Sequence, residues 1–322
     1  MQRTTMAPRR PRFDVTSLGE TMLRLSAPED AGFAAASTVA LHVGGAESNV
    51  CSTLAQLGRR CGWYGRLPRN LLGDRVTDEL SRRGIDVSAV DRPSDGRVGL
   101  YFVDSIADRF GRTVVYDRAG STASRMRSES VPWAYLTDTR LMHLTGITPA
   151  LSPECAAVAA DAVGHAKAAG VAVGIDVNYR RQLWDAAAAR AALEPLVRRV
   201  DLLICAGRDA REVFALGGDD ETVLRQLAEL SGATWVVLTL GDAGVLALSP
   251  GEMVRQAAVP ARVVDTIGAG DALAAGVIDG WLDGSLREGL RRGVRLAALA
   301  LGQAGDMPIV TRAELIDPMP SS

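Results

Sequence analysis

Residues 263–276 read VVDTIGAGDALAAG and join an apolar run to a run of small, helix-favouring residues. The small residues Gly268, Ala269 and Gly270 let backbone N–H groups at a helix start point at an anion. Two common phosphate loops are excluded: a Rossmann fingerprint needs glycine where Leu273 stands, and a Walker A loop needs Gly-Lys-Ser/Thr. The stretch therefore predicts an oxyanion or phosphate site of another kind.

Asp271 follows these small residues and falls in the first turn of the expected helix. A carboxylate there commonly caps free N–H groups and complements the helix dipole. It can equally be an acid left inside a pocket for catalysis. The spacing alone leaves both interpretations open.

Strand-like and helix-like segments alternate along most of the chain. The pairs include FDVTSLG with ESNVCSTLAQLG, RCGWYGRL with GDRVTDELSRRG, and LMHLTG with SPECAAVAADAVGHAKAAG, and the series continues with VAVGID, DLLICAG and WVVLTLG. This order predicts an α/β fold, a three-layer α/β/α sandwich around a mostly parallel sheet. Ligands of such sheets bind at the carboxyl ends of the strands.

Two segments interrupt the alternation. Residues 96–118 read as two strands joined by a polar turn near residues 107–111, and residues 31–43 lack a helical stop before a glycine pair. We expect lid segments at about 22–43 and 95–118 to form a small separate sheet beside the parallel core. The expected organisation is one domain over residues 12–316, with a disordered N-terminal tail at 1–11 and a C-terminal tail at 317–322.

Composition narrows the class of partner. The chain has 322 residues, 47% hydrophobic, with a formal net charge of −2, so we expect neither a nucleic-acid nor a membrane partner. No secretory h-region follows the basic start, and four scattered cysteines suit reduced cytoplasmic thiols. The single lysine, Lys167, lies in an alanine-rich helical segment, which disfavours Schiff-base chemistry.

The run from Asp265 to Asp271 resembles the C-terminal signature of the ribokinase-like (PfkB) carbohydrate kinases, and the resemblance spans roughly residues 13–308. It implies a ribokinase-like α/β/α fold with a small β-sheet lid, and ATP and Mg²⁺ as cofactors. In that family the aspartate at the position of Asp271 is the general base toward the sugar hydroxyl. The backbone of Gly268, Ala269 and Gly270 is then the anion hole.

Two further motifs are similar to family segments. The run from Gly44 and Gly45 to Asn49 is similar to the segment that places substrate hydroxyls against the backbone. The turn after WVVL is similar to the family's nucleotide-binding turn, which implies ATP contacts at Thr239, Gly241, Asp242 and Gly244, beside Gly268 and Gly270.

Within the family, several segments are most similar to the kinases of the sugar acid 2-keto-3-deoxygluconate. A sugar acid needs a cation whose donors match two carboxylate oxygens, which is the geometry of arginine. The resemblance implies that Arg180 binds the carboxylate, helped by lid residues. The implied substrate-binding residues here are Tyr101, Tyr116, Arg118, Asn178 and Arg180.

One segment departs from the family pattern. An Asn-x-x-Glu motif usually organises Mg²⁺ after the strand equivalent to DLLICAG, but here Gly207 and Ala210 occupy the positions that we align with it. Asp209 and Glu212 are the substitute candidates, unless the nucleotide and water supply most ligands. The sequence leaves open whether a monovalent cation is also required.

Several alternatives remain at this stage. The substrate can be 2-keto-3-deoxygalactonate, 5-keto-2-deoxygluconate, fructose or another sugar, and a non-catalytic sensor of sugar acids or nucleotides on a kinase scaffold is a rival from another class. The lid strands leave an edge that needs covering. We therefore expect a homodimer or higher homo-oligomer formed through the lid.

Overall fold

The structure is a computed structural model that describes residues 10–28, 31–108 and 111–315. The expected tails therefore fall almost wholly outside the described residues. Its described part contains thirteen strands: β1 (Phe13–Leu18), β2 (Met22–Ser26), β3 (Ala40–Gly44), β4 (Cys61–Tyr64), β5 (Ile85–Asp86), β6 (Leu100–Asp108), β7 (Gly111–Asp117), β8 (Thr139–Thr145), β9 (Ala172–Asp176), β10 (Leu202–Ala206), β11 (Trp235–Thr239), β12 (Val245–Ser249) and β13 (Glu252–Gln256).

Eleven α-helices accompany these strands over the same ranges. They are α1 (Gly32–Ala35), α2 (Ala46–Gln56), α3 (Leu71–Arg82), α4 (Trp133–Leu136), α5 (Ile147–Ala150), α6 (Pro153–Ala168), α7 (Ala186–Val197), α8 (Gly207–Phe214), α9 (Asp220–Ser231), α10 (Ala269–Asp283) and α11 (Leu286–Leu301). Short 3-10 turns include Gly241–Ala243. None of the helices in these ranges is long and apolar enough to cross a bilayer.

The large sheet has the order β13-β12-β11-β10-β9-β8-β1-β4-β5. The seven strands from β11 to β5 are parallel, whereas β12 and β13 pair antiparallel at one edge. The parallel core agrees with the sequence-based expectation. The antiparallel edge arises because the loops before β12 and β13 are too short for a crossover helix.

Helices cover both faces of this sheet. Apolar residues of α6, α7, α8 and α9 pack on one face, and those of α2, α3, α10 and α11 pack on the other. Strands buried on both sides explain the nearly continuous apolar runs in the sequence. The result is the three-layer α/β/α sandwich that the alternation predicts.

The lid sheet, which consists of β2, β3, β6 and β7, has the order β3-β2-β6-β7. Residues 31–43 are only partly as expected, because the small helix α1 precedes β3 and only the end of that segment is strand. The turn between β6 and β7 lies outside the described residues. A row of apolar residues in register crosses one face of the lid sheet: Leu41, Leu25, Phe102 and Val115.

Helices α10 and α11 pack against each other through closely approaching glycines and a buried ionic cluster. The carboxylate of Asp279 is fully buried and is bound by Arg59 at 2.6 Å, Arg292 at 2.6 Å and Arg312 at 3.0 Å. Arg312 lies in the segment after α11. The cluster therefore fastens the C-terminal segment to the core.

Candidate active site

A cleft of about 390 Å³ lies between the lid sheet and the carboxyl ends of the parallel strands. It holds most of the residues expected from the sequence. Those of the expected set that line it are Gly44, Gly45, Asn49, Tyr101, Tyr116, Arg118, Asn178, Arg180, Asp209, Thr239, Gly268, Gly270 and Asp271.

Asp271 lies in the first turn of α10, with its carboxylate buried at the base of this cleft. Gly268 caps the helix in the left-handed conformation, at a φ of 88°. Burial raises the pKa of the Asp271 carboxyl to about 7, against the lowering effects of Asn49 and Arg180. A carboxyl with this pKa exchanges protons near neutral pH, as a general base requires.

Asn49 is oriented toward Asp271 by its own backbone neighbourhood. The N–H of Gly45 donates to Asn49 Oδ1 at 3.2 Å, so the amide nitrogen points the other way. That nitrogen donates to Asp271 Oδ2 at 2.7 Å. One hydrogen bond therefore joins the glycine-pair motif (residues 44–49) to Asp271, which follows the glycine loop (residues 267–270). Asn49 and Asp271 are 222 residues apart in the sequence.

Two further carboxylates line the cleft with Asp271: Asp176 ends β9, and Asp209 lies in the first turn of α8. Burial, together with the nearby Asp271 carboxylate, raises the pKa of Asp176 to about 7. Burial also raises the pKa of Asp209. Asn178 adopts a positive φ of 41°, and its backbone N–H donates to Asp176 Oδ1 at 3.1 Å, which fixes the Asp176 carboxylate at the end of β9.

Arg180 lines the cleft between these acids. Its positive charge lowers the pKa of Asp176, Asp209 and Asp271. The hydrogen bond that it makes within the described chain, from Nη1 to the carbonyl of Tyr179, is long at 3.4 Å. Its guanidinium therefore keeps donors for a ligand.

Lid residues close the opposite wall, but their polar atoms are largely engaged. Both Nε and Nη2 of Arg118 contact Glu20 Oε2, at 2.8 and 2.6 Å. The hydroxyl of Tyr101 donates to Asp306, and its ring stacks on that of Tyr116 at 5.7 Å. Arg118 is thus neutralised by Glu20 and is a weaker candidate than Arg180 for binding a free carboxylate.

Part of the expected nucleotide turn lies away from the cleft. Thr239 ends β11 inside it, but Gly241, Asp242 and Gly244 are not among its lining residues. Gly241 and Asp242 form an exposed 3-10 turn, and Gly244 packs against the backbone that follows β13. Ala269 is likewise outside the lining set, because the helix turns its side chain toward a small cluster beyond the cleft.

The structure shows which residues near the expected metal-organising pair reach the cleft. Ala206 and Asp209 face the cleft at the expected three-residue spacing, whereas Gly207 and Ala210 do not. Because α8 begins at Gly207, Asp209 lies in its first turn and is buried, while the alignment of Gly207 and Ala210 with the family motif stays a prediction. Glu212 lies outside the cleft, where Arg181 binds its carboxylate at 2.7 and 2.5 Å.

Four charged lining residues were missed by sequence reasoning: Glu20, Asp176, Arg208 and Asp306. Asp176 carried a usable signal, since it ends an apolar run where a parallel strand should stop. Arg208 and Glu20 adjoin segments already singled out. Asp306 stands in a loop after the last helix and had no motif around it.

Comparison with known proteins gives consistent matches. Residues 12–312 match the family model described as pfkB family carbohydrate kinase. The chain is 34% identical over 303 residues to a 2-dehydro-3-deoxygalactonokinase of Haloferax volcanii, covering 94% of this chain and 95% of that protein. It is 32% identical over 273 residues to a 2-dehydro-3-deoxygluconokinase of Bacillus subtilis, covering 84% of each.

A solved structure is also similar. The 2-dehydro-3-deoxygluconokinase of Thermotoga maritima superposes with a TM-score of 0.88 at 29% identity, covering 95% of this chain and 97% of that one.

Proposed function

The chain belongs to the pfkB family of carbohydrate kinases, and on that premise we propose that it is an ATP-dependent sugar-acid kinase. The proposed reaction transfers the γ-phosphate to the terminal hydroxyl of 2-keto-3-deoxygluconate (2-dehydro-3-deoxygluconate), giving 2-keto-3-deoxy-6-phosphogluconate. The observation that carries it is the buried Asp271 carboxylate, which lies at a glycine-rich helix start and has a pKa of about 7.

Asp271 acts as the general base. As the substrate oxygen bonds to the γ-phosphorus, the bond from that phosphorus to the β–γ bridging oxygen breaks, and the hydroxyl proton passes to the Asp271 carboxylate. Asn49 holds that carboxylate at 2.7 Å and favours its ionised form. A general base of this kind contributes about 10²–10⁴ in rate.

The start of α10 supplies the anion hole. The first N–H groups of a helix have no partner within it, and here they follow Gly268 and face the cleft together with Gly270. Such fixed donors stabilise charge on the transferred phosphoryl group without a lysine.

Asp176 and Asp209 are the residues that fit Mg²⁺. Both are buried, both line the cleft, and both have raised pKa values that a nearby cation would lower. No group of three or more metal-ligating side chains exists among the described residues, but Mg²⁺ commonly takes one or two carboxylates and fills its shell with water and phosphate oxygens. The ion would neutralise phosphate charge during transfer.

Arg208 is the cation that we assign to the nucleotide phosphates. It lines the cleft beside Ala206 and Thr239. Its Nε is held by Asp209 Oδ1 at 3.1 Å, and its terminal nitrogens have no partner among the described residues. Arg118 is already paired with Glu20, so Arg208 and Arg180 are the cleft arginines left to meet phosphate and substrate.

Arg180 is proposed to bind the substrate carboxylate, because it keeps free donors in the same cleft as Asp271. The chain's 34% identity to a 2-dehydro-3-deoxygalactonokinase supports a second candidate, the epimeric sugar acid 2-keto-3-deoxygalactonate. Both carry the carboxylate that an arginine suits, so the choice depends on hydroxyl contacts.

A panel assay tests the proposal. ADP release is followed with 2-keto-3-deoxygluconate, 2-keto-3-deoxygalactonate, 5-keto-2-deoxygluconate, fructose and ribose, and the phosphorylated carbon is identified by ³¹P NMR. We expect the highest kcat/KM with the first, and transfer to its terminal oxygen. Binding of a sugar acid without turnover of any panel member would favour the sensor alternative instead.

We further propose that the protein is a homodimer through the lid sheet, whose apolar row leaves Leu41 43% and Val115 55% exposed. A second copy placing the same row against it would remove both side chains from water.

We propose a cytoplasmic setting for the reaction. The four cysteines of the protein are free and buried, which suits that compartment.

A further inference from the structure

Behind the cleft, a buried arginine of the lid sheet binds two aspartates that belong to different segments. Arg24, on β2, donates from Nη2 to Asp265 Oδ2 at 2.6 Å and from Nη1 to Asp306 Oδ1 at 3.0 Å. Its Nε donates to Ser26 at 2.7 Å. The side chains of all three charged residues are at most 5% exposed.

Asp265 carries this interaction into the glycine loop. Its Oδ1 accepts from the N–H of Ile267 at 3.1 Å, immediately before Gly268. Its Oδ2 also accepts from the N–H of Gly305 at 3.2 Å. The carboxylate that Arg24 binds therefore shapes the backbone from which the anion hole starts.

Asp306 carries the same interaction into the cleft. Its Oδ2 accepts from the hydroxyl of Tyr101 on β6, a second lid strand, and the carboxylate lines the cleft. A Cβ added to Gly44 would collide with this carboxylate, and one added to Gly268 would collide with the backbone carbonyl of Asp306. Asp306 thus packs between the glycine pair, the lid and the glycine loop.

We propose that Arg24 and Asp306 are positioning residues that couple the lid sheet to the anion-binding glycine loop, so that a lid closed on substrate and a loop shaped for phosphate occur together. This inference rests on the proposed kinase function. Its consequence is that the loop has its working shape only when the lid is in place. Water is therefore a poor phosphate acceptor, because the loop is not shaped for transfer while the lid is open.

The energetics favour two discrete arrangements over a graded one. A buried charge is tolerated only when it is paired and hydrogen-bonded, and loss of one partner leaves the other uncompensated. Withdrawing β2 would remove Arg24 from both carboxylates at once. Burial raises the pKa of Asp306, and the charge of Arg24 opposes that rise together with the hydrogen bond from Tyr101, so withdrawing the arginine would raise the pKa of this carboxyl further.

The test uses Asp306→Asn, which keeps the size of the side chain and an acceptor for Tyr101 but removes the charge. The matched control is Asp14→Asn, since Asp14 is also buried and bound by an arginine, Arg60, but lies outside the cleft. Two quantities are measured: steady-state kinetics on the substrate found by the panel, and hydrogen exchange of the amides of residues 267–270 with and without sugar acid.

In the parent and in Asp14→Asn, we expect the sugar acid to slow exchange of the loop amides. In Asp306→Asn, the sugar acid should still bind, measured by calorimetry, but should no longer slow that exchange, and kcat should fall on the order of 10–100-fold. A kcat within about twofold of the parent, with loop protection intact, would overturn the proposal.

Arg24→Lys is the second variant, in case Asp306→Asn does not fold. A lysine keeps the positive charge but cannot reach both carboxylates with a planar fork, so the same loss of loop protection is expected, and unchanged protection would contradict the coupling. Failure of the kinase proposal would show separately, as absence of turnover by the parent protein. The exchange measurement needs only sugar-acid binding.

Discussion

The side-chain amide of Asn49 donates a 2.7 Å hydrogen bond to Asp271 Oδ2, and the backbone N–H of Gly45 fixes the amide in that orientation. Sequence similarity assigned Asn49 to the substrate's hydroxyl groups. In the structure it also supports the carboxylate that we propose as the base. Loss of this bond should therefore change the acidity of Asp271 as well as substrate affinity.

Asn49→Ala should shift the acid limb of the kcat/KM profile to higher pH. Burial raises the pKa of Asp271 to about 7 although the hydrogen bond from Asn49 lowers it, so loss of that bond leaves Arg180 to oppose the effect of burial and the pKa rises further. In the parent, kcat/KM should rise as the pH passes through about 7. Asn70→Ala, which removes an amide from the exposed start of α3, serves as the control and should leave the limb in place.

Asp271→Ala should abolish turnover while the sugar acid still binds. The expected loss in kcat is about 10²–10⁴-fold, because the variant has no carboxylate at position 271 to accept the proton of the substrate hydroxyl. Stopped assays and calorimetry measure the two quantities. Asp161→Ala, on the exposed face of α6, is the control. An Asp271→Ala variant that keeps more than about a tenth of kcat is incompatible with the assignment.

Asp176→Asn should stabilise the protein at pH 8 when measured with EDTA present. The folded-state pKa of Asp176 is raised from 3.8 to about 7. This group therefore lowers the free energy of unfolding of the parent as the pH rises from about 4 to about 7, and the loss persists above that range. Asparagine removes the charge, so the free energy of unfolding of the variant should exceed that of the parent by about 1–4 kcal/mol at pH 8 and by nearly zero at pH 4. Denaturant melts at both values measure it, and equal stability of the two proteins at pH 8 would refute the prediction.

Arg180→Lys should raise KM for a sugar acid by about tenfold or more, since lysine cannot bind both carboxylate oxygens. For a neutral sugar, KM should hardly change. Steady-state kinetics on one acid and one neutral sugar from the panel measure the difference. Arg190→Lys, on the outer side of α7 beside Glu194, is the matched control. Equal effects on both substrates would argue against a carboxylate contact.

Leu41→Asp or Val115→Asp should convert the proposed dimer into a monomer. Each places a charge in the apolar row of the lid sheet, where a second copy would have to bury it. Light scattering after size exclusion measures the mass. Leu71→Asp, at an exposed position on α3 outside the lid, should leave the dimer intact. A monomeric parent protein at working concentration would count against the lid interface.

Local pattern was enough to predict the layers, because the strands and helices carry their own apolar periodicity and four of the seven parallel strands, β4, β8, β9 and β10, are followed directly by a helix. The resemblance to the carbohydrate kinases supplied Asn49 and Arg180, and together with the local pattern it singled out Asp271; all three line the cleft. Asp306 could not be found this way. Its role depends on contacts with Arg24 and Tyr101, 282 and 205 residues away, and no sequence window contains both ends.

The metal-organising segment shows a second limit. Resemblance to the family motif placed the pair at Gly207 and Ala210, but Ala206 and Asp209 are the residues that line the cleft, because the residue at which α8 begins decides which side chains turn inward. The pairing of Glu212 with Arg181 was equally invisible, since Arg181 comes from the loop after β9. Helix boundaries are the least certain part of a sequence-based prediction.

The contact between Arg24 and Asp306 joins the second strand of the chain to the segment after its last long helix. During synthesis the N-terminal lid strands emerge from the ribosome first, and their arginine then has neither of its two acidic partners. A nascent chain therefore cannot assemble this phosphate-binding apparatus early, whatever part of the sheet has already folded. Catalytic competence should appear only after the segment that contains Asp306 has left the ribosome.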